Sequence, residues 1–489
     1  MPQSEFQHSI CASCFRRFAA ILFGLVALQP LGGCLVGTEK PDVLLDIPDS
    51  YRAGVRNTDA ALPSPDWWRG FRSKQLTDLI EESLASNLDI AAAVARIVQA
   101  DAQARIAGAP LLPNVQLDAS GTRSRASQAT SSSISSSGSE RSTYSSTLTA
   151  SYQIDFWGKN RATLLAAEQT AVASRFDREV IALTTVVSVA NAYFQVVAAQ
   201  DRLRVARENL AAAERVLRLI QDRFTVGTAS ALDTAQQESL VATQRAAIPP
   251  LIQTLRQNIA ALAALIGRPP VRVTVRGGGM WRIAIPPVTP GLPSDLLNQR
   301  PDIREAEAQL AAANANVEAA RAAFLPSIQL TGEGGYQSAA LQSLLRPESA
   351  LFSLTVGITQ PIFDGLRLQG QLDLQRGKQE ELLQNYRKFV INAFTDVEKA
   401  LIAVQQTAER ERLQREVVRS SRRAFEISET RLREGTVDLI TVLNTQQTLF
   451  QAEDTLAQAR LARLQAVVSL FQALGGGWHS PVEDQTDNR

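Results

Sequence analysis

Arg223-Phe-Thr-Val-Gly227-Thr-Ala-Ser-Ala-Leu-Asp233 and Arg431-Leu-Arg-Glu-Gly435-Thr-Val-Asp-Leu-Ile-Thr441 are two copies of one turn. A long helical pattern runs into each and another runs out, so each marks the tip of an antiparallel helical hairpin. The glycines supply the left-handed turn that ends a helix. Gly227 and Gly435 stand 208 residues apart, and the same shift carries Val189-Ala-Asn-Ala192 onto Val397-Glu-Lys-Ala400 and Leu262-Ala-Ala-Leu-Ile-Gly267 onto Leu470-Phe-Gln-Ala-Leu-Gly475. A shift of 213 carries Asn87-Leu-Asp89-Ile90 onto Arg300-Pro-Asp302-Ile303 and Leu112-Pro113-Asn-Val-Gln-Leu117 onto Leu325-Pro326-Ser-Ile-Gln-Leu330. The chain is therefore a long internal duplication, and its fold is one unit used twice.

Outward from the tips the pattern is helical for a long way. Arg161 to Val226 contains no Pro and no Gly over 66 residues, about 99 Å of helix at 1.5 Å per residue. Leu203, Ala206, Leu210, Ala213, Leu217, Ile220 and Phe224 recur at 3-4-3-4 spacing, a heptad seam. The second half repeats this from about Gln371 to Arg433. Return helices are expected over Leu232 to Ile266 and Ile440 to Leu474, the first kinked or interrupted at Pro249-Pro250.

Before each long helix lies a region of period two. Val115, Leu117 and Ala119 alternate with Gln116, Asp118 and Ser120; Leu148, Ala150, Tyr152, Ile154 and Phe156 alternate with Thr149, Ser151, Gln153 and Asp155. In the second half, Ile328, Leu330 and Gly332 lead to Phe352, Leu354, Val356 and Ile358, which alternate with Ser353, Thr355, Gly357 and Thr359. Strands of about nine or ten residues with one apolar and one polar face suit a transmembrane barrel. An antiparallel sheet over a soluble core shows the same alternation. Ser127 to Ser146, almost all Ser, Thr and Gly, is expected as a surface loop between the first two strands.

The 489 residues carry a net charge of +1 with no basic cluster, which argues against a nucleic-acid partner. Two histidines, His8 and His479, give no dyad or metal cluster, and no phosphate loop or serine nucleophile motif appears, so an enzyme is not expected. With 6% aromatics and 2 Met, the core is built from Ala, Leu, Val and Ile. Arg16-Arg17 and the apolar run Phe18 to Leu28 form a signal peptide over 1–33. Leu31-Gly-Gly-Cys34 resembles the lipobox of bacterial lipoproteins, in which the Cys carries acyl chains; an ordinary signal peptide containing a Cys is the alternative. With Leu35 and not Asp next, the resemblance implies the outer membrane. After Cys34 no apolar run is expected to reach the roughly 20 residues of a membrane helix, so a membrane-spanning part has to be made of strands.

The expected organisation is a lipidated irregular segment over 34–76 packed on the outside of the rest, repeat one over 77–268, and a Pro- and Gly-rich linker over 269–295. Repeat two follows over 296–475 and a tail over 476–489. Each repeat is a helix, a β-hairpin and a long helical hairpin. Four strands cannot close a barrel, which needs about eight, and unpaired backbone cannot face lipid. Other copies must complete it, and three copies give twelve strands.

The chain resembles the outer-membrane efflux proteins, the TolC-like and OprM-like channels, and within them the lipoprotein branch called NodT-type. The residues that carry the likeness are the Gly-Gly-Cys34 lipobox, Arg300-Pro-Asp-Ile303, Phe324-Leu-Pro326, Gln360-Pro-Ile-Phe-Asp-Gly365 and the two tips. The resemblance implies a homotrimer with one twelve-strand transmembrane β-barrel, a long periplasmic α-helical barrel of coiled-coil hairpins and a mixed equatorial belt. It implies the exit duct of a tripartite pump, passing small toxic compounds or drugs to the exterior and working with a periplasmic adaptor and an inner-membrane transporter of the resistance-nodulation-division class. It implies no catalytic site, no metal and no cofactor beyond the lipid on Cys34. Exit ducts for type I protein secretion or metal efflux, and a structural periplasm-spanning lipoprotein tether, are the alternatives.

TolC-like members narrow the pore with two Asp rings, six and nine residues after the second tip glycine; these positions here are Thr441 and Asn444. Their closed-state contacts come from a Tyr and an Arg where this chain has Leu432 and Val437, while the receiving Asp matches at Asp233. OprM-like members have Asp at the position of Asn444 and Arg at that of Gln447. The implied gate is therefore uncharged, with Leu432, Val437 and Ile440 near the constriction. Asp438 is either a charge at that gate or a helix cap. Intact mass of the membrane form is expected to show a chain that starts at an acylated Cys34. A different, unmodified N-terminus overturns the lipobox.

Overall fold

The computed structural model describes residues 51, 64–125, 140–276, 279–288 and 293–478. Cys34, the signal peptide, the Ser-rich 126–139 stretch and the tail beyond Trp478 lie outside the described residues. Two compact units are present. One takes its described residues from Asp101–Gln169 and Ala311–Glu381, the other from Asp42–Ala100, Thr170–Leu310 and Leu382–Arg489. Each unit draws matching pieces from both halves of the duplication.

The first unit holds four antiparallel strands in the order β1-β2-β3-β4, namely β1 Asn114–Arg125, β2 Glu140–Ile154, β3 Ser327–Ser338 and β4 Ala350–Thr359. They run 12, 15, 12 and 10 residues, mostly longer than the alternation suggested. The expected loop over Ser127 to Ser146 is corrected at its end. Glu140 to Ser146 belong to β2, because each pairs with a residue of β1, from Arg125↔Glu140 to Ala119↔Ser146. Backbone pairing overrides the weak strand propensity of a Ser/Thr run. The register puts Leu117 beside Leu148 and Leu148 beside Gly334, and it puts Leu330 beside Val356, on one face. That face is open: Phe352 is 90% and Leu354 79% exposed.

Nine α-helices accompany the four strands among the described residues. The helices are α1 Lys74–Ser86, α2 Leu88–Gly108, α3 Lys159–Thr225, α4 Ala231–Ala246, α5 Ile248–Leu265, α6 Pro293–Gln299, α7 Pro301–Ala322, α8 Arg367–Arg433 and α9 Leu439–Ala473. Both long helices, α3 and α8, have 67 residues. The first return helix breaks at Ala247, beside Pro249-Pro250, whereas α9 runs unbroken for 35 residues. One expectation fails here: α3 does contain a stretch long and apolar enough to cross a membrane. That stretch is 61% buried in the fold, with Val186, Val189, Phe194 and Val196 in the core, so it packs as a core helix.

The largest core of the second unit gathers Trp67, Trp68 and Phe71 with α1, the middle of α3, α5 and α9. Trp67 stacks on Phe471 at 4.7 Å between ring centroids, and Phe71 meets Phe194 at 5.1 Å. For Trp67, Trp68 and Phe71 the expectation of a place on the outside is therefore overturned: these aromatics fill space that small side chains leave. Part of the stretch expected as a linker is also built in. Val273, Val275, Met280 and Ile283 join the same core, and Asp201 on α3 accepts the Met280 N–H at 2.7 Å. Arg460 on α9 donates to the Ile283 carbonyl at 2.6 Å and pairs with Glu411 on α8. The Glu411 side chain is 1% exposed; burial pushes its carboxyl up, but Arg460, Arg463 and Arg415 overcome this and hold it below the usual carboxylate range.

The echoes explain themselves here. The first helical pattern breaks between α1 and α2 at Asn87, and its counterpart breaks between α6 and α7 at Arg300. Asn87 Nδ2 donates to the carbonyl of Leu265, and Arg300 Nη1 to that of Ala473, each at the end of the return helix of its own half. Gly267 and Gly475 follow those ends with φ of +69° and +82°. A Cβ on Gly267 would meet the Ser86 carbonyl oxygen at 2.6 Å, and one on Gly475 the Gln299 oxygen at 2.3 Å. Only glycine permits both the turn and the approach.

Glu305 on α7 accepts a hydrogen bond from Gln309 Nε2 at 2.8 Å. Burial first, then Asp177 on α3 and Asp302, push its carboxyl up to about 7. Arg96 on α2 pairs with Asp177, and Arg300 with Asp302. Between its ordinary value of 4.5 and about 7 the folded chain keeps a proton that the unfolded chain has released. Its contribution to stability therefore falls as pH rises through that window. Glu305→Gln is expected to shrink the drop in thermal midpoint between pH 5 and pH 8 in detergent. An equal drop in both proteins refutes the assignment.

Candidate functional site

The tips are built by the same cap twice. Gly227, φ +77°, and Gly435, φ +75°, close the ends of α3 and α8. The Thr228 N–H bonds the Arg223 carbonyl at 2.8 Å and the Gly227 N–H that of Phe224 at 3.0 Å. Thr436 to Arg431 (2.9 Å) and Gly435 to Leu432 (3.0 Å) reproduce both bonds. These are Schellman caps, which satisfy carbonyls that the helix end leaves open. Nothing lies within 4 Å of a Cβ placed on Gly227, so that tip surface is bare.

The outgoing helices start with side-chain caps. Ser230 and Asp233 form a capping box: Asp233 N–H bonds Ser230 Oγ at 3.1 Å, and Ser230 N–H bonds Asp233 Oδ2 at 2.8 Å. At the equivalent place Asp438 Oδ1 accepts the Thr441 N–H at 2.9 Å. Thr441, first by its side chain and then by its backbone, holds the Asp438 carboxyl below its usual value. Of the two roles open to Asp438, the structure shows the cap. Asp233 is likewise engaged within its own turn.

An apolar cluster joins all four tip helices: Ala213, Val216 and Ile220 of α3, Val241 of α4, Phe425 and Leu432 of α8, and Leu439, Val442 and Phe450 of α9. Leu432 is 3% exposed inside it and packs between the hairpins. Val437 packs against the same cluster. Ile440, 55% exposed, shares an open side of α9 with Thr441, Asn444 and Gln447, at spacings of three and four residues. Those four candidates are brought together on one surface; Gly227, Asp233 and Gly435 occupy the turns.

Three tip residues carry contacts that the sequence did not single out. Arg223 Nη1 donates to the Leu432 carbonyl at 2.6 Å, tying the first tip to the second. Its signal was its place as the first residue of the repeated turn. Gln446 is fully buried on α9 with neither amide atom hydrogen-bonded to the protein, while buried Gln237 on α4 donates to the Ala213 carbonyl at 2.9 Å. Neither glutamine carries a pattern that distinguishes it from the exposed ones around it.

The profile of the family described as "Outer membrane efflux protein" matches residues 79–268 and 292–476. The chain is 39% identical over 453 residues to the pyoverdine export outer membrane protein OpmQ of Pseudomonas aeruginosa, covering 92% of this chain and 95% of that one. It is 41% identical over 436 residues to OpmQ of Pseudomonas putida, covering 88% and 92%. In structure it superposes on the outer-membrane channel OprN with a TM-score of 0.84 at 26% identity, covering 91% of this chain and all of the other. With long helical hairpins, an open four-stranded sheet and these relatives, the chain belongs to the outer membrane efflux protein family.

Proposed function

We propose that three copies close into one exit duct of a tripartite efflux system. The observation that carries this is the sheet. Its edge strands β1 and β4 have no partner on their outer sides among the described strands, and its apolar face is exposed. In lipid, open edges are untenable, and pairing β4 of one copy with β1 of the next closes a ring of twelve. The polar face, with Gln116, Asp118, Ser145, Thr147, Thr331 and Ser353, then lines the passage. The two halves, 77–268 and 296–475, are in this reading copies of one unit, and acyl chains on Cys34 add a second hold on the membrane. A periplasmic adaptor meets the tips at Gly227 and Gly435, of which the first is bare, and an inner-membrane transporter of the resistance-nodulation-division class supplies the cargo. The cargo is a small organic compound. Two relatives near 40% identity named for pyoverdine export make pyoverdine the first candidate. Cross-linking in mild detergent is expected to stop at three chains; a ladder ending at two or four refutes the closure.

The gate follows from α9. Ile440, Thr441, Asn444 and Gln447 present apolar and neutral polar groups on its open side, with no carboxylate among them. Rings of carboxylates concentrate cations, whereas apolar rings close a pore by dewetting. The proposed gate therefore works without a charge filter, and Asp438 contributes as a helix cap. Asn444→Asp puts three charges into it. Single-channel recordings are expected to show stronger block by hexammine cations from the periplasmic side than in the unmodified channel. Equal block in both proteins refutes the uncharged gate.

A further inference from the structure

The sheet unit holds a cavity of about 490 Å³ where strands give way to helices. It is bounded by the ends of β2, β3 and β4, by α7, and by the starts of α3 and α8. Ser327 faces Thr359 in register on the polar side of the sheet, the side of Gln153, and all three line the cavity. Its wall combines three kinds of group. Trp157 is half-buried, held by a bond from its Nε1 to the Pro326 carbonyl at 2.8 Å and by an edge-on contact with Phe156 at 4.8 Å. Gln153, Asn316 and Gln371 bring amides. Lys159 and Arg367 bring cations.

The acids nearby are already engaged. Asp155 accepts the Asn160 and Arg161 N–H groups at 2.9 Å each, which caps α3. Asp364 accepts the Leu368 N–H at 3.0 Å and lies 3.6 Å from Arg367, whose side chain stays 70% exposed. Asp155, which also lines the cavity, is thus spent on the start of α3 and on Arg161, while Lys159 and Arg367 stand in the same wall. A fixed aromatic ring, several amides and two cations around one concavity are the means by which proteins hold a small, flat, anionic, amide-bearing molecule.

We propose that this recess is a transit site for such cargo, an anionic organic molecule with a planar aromatic part and amide groups, at the point where the helical passage becomes the barrel. This rests on the duct reading above, with the polar face of the sheet inward. Exposed cations give weak, salt-sensitive binding. A passage requires that: a site must be favourable enough to enter and weak enough to leave.

The test uses the full-length channel in a planar bilayer. One probe is a short peptide bearing a naphthalene-type ring and two carboxylates; the other is its counterpart with two ammonium groups. The acidic probe is expected to interrupt the open-channel current in discrete events, and the cationic one is not. Lys159→Gln combined with Arg367→Gln is expected to shorten the dwell time about fivefold, the effect of losing one or two exposed charge contacts. Lys159→Arg combined with Arg367→Lys, which keeps both charges, retains it. Unchanged dwell in the neutral variant, or equal block by the cationic probe, overturns the transit site and leaves the duct standing. A chain that forms no conducting pore overturns the duct itself, and the recess falls with it.

Discussion

Backbone amides and carbonyls that meet hydrocarbon must be paired, and each one left open there costs several kcal/mol. Four strands with free outer edges on β1 and β4 cannot meet that condition alone. The sheet is therefore a segment of something larger, and the rest of the chain is arranged around that fact. The four helices next to the sheet in the chain, α2, α3, α7 and α8, all join it at one end of its strands, because β1 and β3 follow helices and β2 and β4 lead into them. The other end carries only the two hairpin connections. One end of the sheet thus leads into the two 67-residue helices and the other into the strand connections, so its two ends are unlike.

The duplication is held by contacts that survive changes of side chain. Asn87 and Arg300 share neither charge nor shape, yet each sits at a helix break and donates to the last carbonyls of the return helix in its own half. Gly267 and Gly475 lie against the carbonyls of Ser86 and Gln299, the residues just before those breaks. The conserved element between halves is a backbone geometry, and the side chains that serve it have diverged. At the tips the two halves diverge in the opposite sense. The caps at Gly227 and Gly435 are bond-for-bond alike, but Ser230 with Asp233 makes a capping box where Asp438 caps singly.

Much of this was legible because it depends on local rules. The absence of Pro and Gly from 161–226 marked α3, the two glycines marked the tips, and Pro249-Pro250 marked the break in the first return helix. Period-two alternation found the four strands. What was not legible depends on which surfaces meet. Trp67, Trp68 and Phe71 sit in a segment of irregular composition, and only the space between α3 and α9 explains their burial. Leu432 lies on a helix whose apolar positions face several neighbours, and nothing local says which one it takes. Glu140 to Ser146 look like a loop until β1 is laid beside them.

The two hairpins differ mechanically. The first return path is jointed, since α4 ends at Ala246 and α5 begins at Ile248 with two prolines in its first turn. The second, α9, is a single rod from Leu439 to Ala473, about 50 Å long at 1.5 Å per residue. A push applied near Gly227 meets the joint, where Pro249 and Pro250 supply no N–H to the ladder. A push applied near Gly435 travels the length of α9 to Ala473, whose carbonyl Arg300 holds, and to Gly475 beyond it. The molecule thus has one compliant arm and one stiff one, and only the stiff arm carries a displacement from the tip to the region where the second half of the chain begins.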